Sequence, residues 1–127
     1  MVYFVQRETL AGEMIGPRGE ENRRIKLITP ESVGAENVGA EIYELASGAS
    51  SEIFREEETR QFFYVLRGQA KAEMGNLQQR VRAGHGIYAE SGEACRFTDC
   101  SSGGFEFIRF TILPGLDQGI QNFHETN

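Results

Sequence analysis

Short apolar runs broken by glycine turns constrain this chain more than any other feature. Gln61 to Leu66 (QFFYVL) is rich in aromatic and β-branched residues and is bounded by Gly68. Gln69 to Met74 follows at once and ends at Gly75-Asn76, a tight-turn signal; Leu77 to Arg82 completes a hairpin with it. Gly84 and Gly86 bracket His85 at a second turn. Ile87 to Ala89 and Ala94 to Thr98 read as short strands, and Ser101-Ser102-Gly103-Gly104 turns into a last one, Phe105 to Leu113. Upstream, Tyr3 to Arg7, Arg24 to Thr29 and Val38 to Ala46 carry the same signal, the third followed by a turn at Ser47 to Ser50. Helical periodicity is weak. Pro30 to Asn37 has room for one helical turn but is broken by Gly34, and the tail after Pro114 has room for another. About nine short strands without crossover helices predict an all-β fold: an antiparallel sandwich, jelly roll or barrel.

The bulk properties narrow the function classes. The 127 residues fit one domain, long enough to bury a core without disulfides or metals. A net charge of -6 argues against a nucleic-acid partner, which calls for a basic patch. The nearest candidate, Arg23, Arg24 and Lys26, is preceded by Glu20 and Glu21 and reads as a solvated strand edge. No apolar run approaches the roughly 18 residues that span a bilayer, so no membrane association is expected. The start MVYFVQRETL has neither the basic opening nor the apolar stretch of a signal peptide. The expected compartment is therefore the cytoplasm, with Cys95 and Cys100 reduced. Their spacing matches no zinc-ribbon or CxxC pattern.

Two stretches carry a family resemblance. Gly48 through Gly68 (GASSEIFREEETRQFFYVLRG) is similar to the first motif of the cupin superfamily, G-x5-H-x-H-x4-E-x6-G, with Gly48 and Gly68 at its two glycines. Gly84 through Asp99 (GHGIYAESGEACRFTD) is similar to the second, G-x5-P-x-G-x2-H-x3-N, with Gly84 and Gly92 in place. The chain thus resembles a small single-domain, type-2-like cupin with degenerate metal motifs. The resemblance implies a double-stranded β-helix, or jelly-roll barrel, built as one domain over 1–127. Residues 1–46 would supply N-terminal strands and dimer contacts, 48–113 the two-motif barrel and 114–127 a tail.

The departures fall on the metal ligands. The two histidine positions of the first motif hold Phe54 and Glu56, and its glutamate position holds Gln61. In the second motif Glu90 stands for proline, Cys95 for histidine and Asp99 for asparagine. A one-residue shift in the loop Arg55 to Arg60 moves the first pair to Arg55 and Glu57, and restores no histidine. If Gln61 faces the lumen as the family glutamate does, strand alternation brings Phe63 and Val65 inward with it, and pairs Cys95 with Phe97 and Phe54 with Glu56. The lumen set implied is Phe54, Glu56, Gln61, Phe63, Cys95 and Phe97; the facing of Tyr43, Phe107 and Arg109 stays open.

Three readings of that lumen follow. An aromatic cavity with a few polar groups suits an unidentified small molecule bound without metal or other cofactor. Alternatively, Glu56, Gln61 and Cys95 hold a divalent metal in an atypical cupin enzyme of the dioxygenase, isomerase or decarboxylase type, although a carboxylate, an amide and a thiolate favour different ions. The third reading is a structural or regulatory barrel filled by its own side chains. No residue set commits the chain to catalysis. Cys95 in an apolar lumen has no cation to activate it. Among the acids only Glu56 has a reason to point inward, Glu57 and Glu58 reading as a solvated loop with local ion pairs. Glu90 and Asp99 read as rim groups. His85 falls on the rim and His124 in the tail. The expected partner is a second copy, and Tyr3, Phe4, Val5, Ile25, Leu27 and Ile28 offer apolar surface for pairing.

Overall fold

The computed structural model describes residues 3–15, 22–29 and 37–113. A 3-10 turn at Arg7–Thr9 precedes ten strands. These are β1 (Gly12–Ile15), β2 (Asn22–Ile28), β3 (Val38–Leu45), β4 (Phe54–Arg55), β5 (Arg60–Arg67), β6 (Gln69–Met74), β7 (Leu77–Arg82), β8 (Gly86–Ala89), β9 (Ala94–Thr98) and β10 (Phe105–Ile112). They form two antiparallel sheets, one ordered β1-β2-β3-β10-β5-β8 and the other β4-β9-β6-β7. This is an all-β jelly-roll barrel, one of the architectures the turn spacing allows and the one the family resemblance implies. No helix among the described residues is long and apolar enough to cross a membrane.

Alternation along the strands builds the interior. In β5, Gln61, Phe63 and Val65 are buried while Phe62, Tyr64 and Leu66 lie on the outer face. β10 lies between β3 and β5, with Phe107 opposite Tyr43 and Val65, and Arg109 opposite Glu41 and Phe63. From the smaller sheet Ala70, Ala72, Cys95 and Phe97 complete the core.

Most strands fall where the sequence places them, and four features differ. Tyr3 to Arg7 is not a strand. Its Tyr3, Phe4 and Val5 stay exposed, and Arg7 instead opens the 3-10 turn, where its guanidinium donates to both carboxylate oxygens of Glu106 at 3.1 and 2.7 Å. The true first strand, Gly12–Ile15, pairs with β2. β2 is therefore an interior strand and not a solvated edge: Arg23, Arg24 and Lys26 are each paired with Glu44, Glu13 or Glu41. The brief β4 escapes sequence reading because two residues carry no alternation. Finally, Ile25 is only 2% exposed within a single chain and offers no free surface to a partner. The helical-turn readings at residues 30–36 and after Pro114 lie outside the described residues.

Gly68, the closing glycine of the first motif, is required by two constraints. Its φ is +82°, and a Cβ there would stand 2.2 Å from the Gly104 carbonyl oxygen. Gly75 at the β6–β7 turn has φ +60° but open space around it. Gly68→Ala should cost at least about 2 kcal/mol in urea unfolding, and Gly75→Ala about 1 kcal/mol. Equal costs would contradict the close approach.

Candidate functional site

Two residues at the ligand positions of the resembled motif, Glu56 and Gln61, are joined by an arginine. Arg109 reaches inward from β10, with 10% of its side chain exposed. Its Nε donates to Gln61 Oε1 at 2.8 Å, Nη1 to Glu41 Oε1 at 3.1 Å and Nη2 to Glu56 Oε1 at 2.9 Å. The guanidinium carbon also lies 4.9 Å from the centre of the Phe54 ring, a cation–π contact. Gln61 is wholly buried, and its Nε2 donates to the Phe54 carbonyl at 3.3 Å. The amide thereby turns its oxygen towards Arg109, where a glutamate would add a third carboxylate.

The network continues along the strands. Tyr43 donates its hydroxyl to Glu41 at 3.3 Å. Burial, then Glu41, pushes the Tyr43 phenol up to about 12. Arg24 lies 3.8 Å from Glu41 and donates to Glu13 Oε1 at 2.8 Å. Oppositely charged groups thus alternate from β1 to β10, each cation beside carboxylates from other elements.

Beneath Arg109 the barrel is filled by rings. Tyr43, Phe54, Phe63, Phe97, Phe105 and Phe107 are all buried and in mutual contact. The Phe97 and Phe107 centroids are 4.5 Å apart, and Tyr43 stacks on Phe107 at 5.1 Å. Each such pair adds about 0.5–1.5 kcal/mol beyond the area it buries.

Of the residues expected in the lumen, Phe54, Gln61, Phe63, Cys95 and Phe97 are buried together. Glu56 differs. Its side chain is 44% exposed, and it reaches the group only through its ion pair with Arg109. Tyr43, Phe107 and Arg109, whose facing the sequence leaves open, all point inward. Of the flanking acids, Glu57 pairs with Arg55 at 3.3 Å and Asp99 with Arg80 at 3.0 Å, both exposed. His85 accepts the Arg82 backbone N–H on its Nδ1 at the β7–β8 turn. His124 lies outside the described residues.

A metal does not fit this donor set. Among the described residues no group of three or more His, Cys, Asp or Glu side chains converges. The Gln61 oxygen, and the carboxylates of Glu41 and Glu56, already face a guanidinium that would repel a cation. Cys95 sits among rings, and burial pushes its thiol up to about 12.

Space remains at the side of the lumen. A cavity of about 360 Å³ opens where β2 and β3 face the segment before β4, lined by Ile15, Asn22, Tyr43, Leu45, Ser50, Ser51, Glu52 and Arg96. Tyr43 and Leu45 reach it from the inward face of β3, while Arg96, which alternates with the buried Cys95 and Phe97 on β9, and the exposed Glu52 border it from outside the core. A second, of about 440 Å³, lies on the opposite side against Met74, Leu77, Ile87 and Tyr88.

The thiols supply a test of the packed interior. Burial raises Cys95 to about 12 and, with Asp99 assisting, Cys100 to about 11, from an ordinary 9.0. Above that ordinary value the unfolded chain has released protons that the native chain still holds, so stability falls as pH rises from about 9 towards 12. Cys95→Ala should flatten this slope in urea unfolding at several pH values. A slope unchanged by the substitution would contradict the burial.

No family model matches the sequence, and no curated protein matches it. Solved structures do match. A Thermotoga maritima protein described as a predicted oxalate decarboxylase superposes with a TM-score of 0.76 at 21% identity, covering 87% of this chain and 99% of that one. An RmlC-like cupin from Shewanella frigidimarina gives 0.73 at 17% identity over 89% of this chain and 92% of its own. The polyketide cyclase RemF from Streptomyces resistomycificus gives 0.72 at 22% identity over 88% and 80%. Likeness at these identities reports architecture, and the glycine framework, strand order and superpositions agree that this chain has the cupin fold.

Proposed function

We propose that this chain is a cupin-fold protein that binds a small organic molecule without a metal, in the cavity between β2, β3 and the segment before β4. One observation carries the reading: the Arg109 guanidinium takes up Gln61 and Glu56, two residues at ligand positions of the resembled motif, yet a cavity of about 360 Å³ remains against Tyr43 and Leu45. That volume lies within the usual range for ligand sites, and the lining combines an apolar wall with several polar groups. The neighbours named as enzymes share the barrel, and chemistry is a property of sites rather than of folds. The filled lumen also supports a second reading, a purely structural barrel in which Arg109 and the rings serve stability alone. Self-association fits the outer face of the large sheet, where Phe62, Tyr64, Tyr88 and Phe110 leave apolar surface only partly covered. Two copies burying that face would form an isologous dimer.

Purified protein incubated with manganese, iron, nickel or zinc and then dialysed should retain only substoichiometric metal by elemental analysis. A screen of small apolar and polar fragments by ligand-observed NMR should give binders that Ser50→Trp, which fills the cavity, displaces. A stoichiometric ion lost on Glu56→Gln or Cys95→Ala would overturn the metal-free reading. An absence of any fragment sensitive to Ser50→Trp would leave the structural barrel.

A further inference from the structure

The lateral cavity carries two opposite charges that do not pair with each other. Arg96 and Glu52 both line it, and neither makes an ion pair or side-chain hydrogen bond among the described residues. Glu73, opposite Arg96 in the β6–β9 register, accepts the Thr98 hydroxyl at 3.1 Å instead. Glu52 lies close enough to Tyr43 to add to the burial and the Glu41 charge that hold its phenol up. By comparison, Arg24 pairs with Glu13, and Arg109 with Glu41 and Glu56. The wall thus presents a cation and an anion, both without a charged partner among the described residues, to the same cavity.

The remaining polar groups divide in the same way. Ser51 is fully engaged, donating to the Glu52 carbonyl and accepting the Phe97 N–H. Asn22 accepts from the Ala46 N–H and donates one Nδ2 hydrogen to the Ser50 carbonyl, its second hydrogen having no acceptor among the described residues. Among the described residues the Ser50 hydroxyl makes no hydrogen bond. Opposite them Ile15, Leu45 and the Tyr43 ring form an apolar wall. A ligand with a single charge would satisfy one of Arg96 and Glu52 and leave the other facing it unmatched.

We propose that the cavity between β2, β3 and the Ser50–Glu52 segment is a site for a free α-amino acid with an apolar side chain. Its carboxylate meets Arg96, its ammonium meets Glu52, and its side chain lies against Ile15, Leu45 and Tyr43. The volume accommodates a leucine- or phenylalanine-sized molecule with water. The inference rests on the reading of this cavity as a small-molecule site and names its ligand class.

Calorimetric titration of the full chain with L-leucine and L-phenylalanine tests it, with N-acetyl-L-leucine and L-leucinamide as the blocked forms. The expected result is one equivalent of free amino acid bound per chain, with each blocked form at least about tenfold weaker, since each leaves one charge unmatched. Arg96→Gln should remove the discrimination against leucinamide, and Glu52→Gln that against N-acetyl-leucine, both at wild-type melting temperature. Free and blocked forms binding alike, or discrimination that survives both substitutions, would overturn the proposal. Neutral p-cresol serves as the control. If it binds and Ser50→Trp blocks it while the amino acids do not bind, the cavity reading stands and the ligand class is wrong. If neither binds, both fall.

Discussion

A guanidinium can be kept inside a barrel only if several elements bring it partners at once. Arg109 meets this condition through Gln61 on β5, Glu41 on β3 and Glu56 in the loop after β4, with the Phe54 ring against it. Removing one partner would leave charge or an amide dipole uncompensated in a low-dielectric setting, a penalty of several kcal/mol for buried charged groups. The pairing therefore fixes the register of β3, β10 and β5 relative to the loop that carries Glu56. It also determines what the interior cannot do. The oxygens a cation would need are turned to a cation already present.

The aromatic cluster follows from the same centre. With Phe54 at one histidine position and Cys95 at another, the space below Arg109 is lined by groups that pack rather than coordinate. Tyr43, Phe63, Phe97, Phe105 and Phe107 fill it ring against ring. Space is left towards β1 and β2, where smaller polar residues, Asn22, Ser50 and Ser51, replace the rings. Arg96 and Glu52 border that opening, so the proposed site and the packed rings occupy different parts of one barrel.

How much of this is legible in the sequence depends on how local each signal is. The β6–β7 hairpin is read to the residue because Gly75-Asn76 fixes both its ends. Phe54, Gln61, Phe63, Cys95 and Phe97 are placed inside by alternation together with the motif spacing. Arg109 is harder. FEFIRFTI sets it in phase with Phe105 and Phe107, which is the available signal, but a charged residue on an aromatic face is intelligible only once Glu41 and Gln61 are known to lie beside it. Those contacts span 68 and 48 residues of sequence. The Tyr3 to Arg7 run fails for the opposite reason. Its composition suits a strand, but Gly12–Ile15 takes the place beside β2.

The account stands or falls on the coupling of Arg109 to Gln61. A double-mutant cycle with Arg109→Met, Gln61→Leu and the pair, read by urea unfolding near neutral pH, isolates that coupling from the cost of either change alone. The predicted result is a coupling of about 1–3 kcal/mol, with the double variant more stable than the sum of the single losses implies. Additive losses, with coupling near zero, would contradict an arginine-centred barrel.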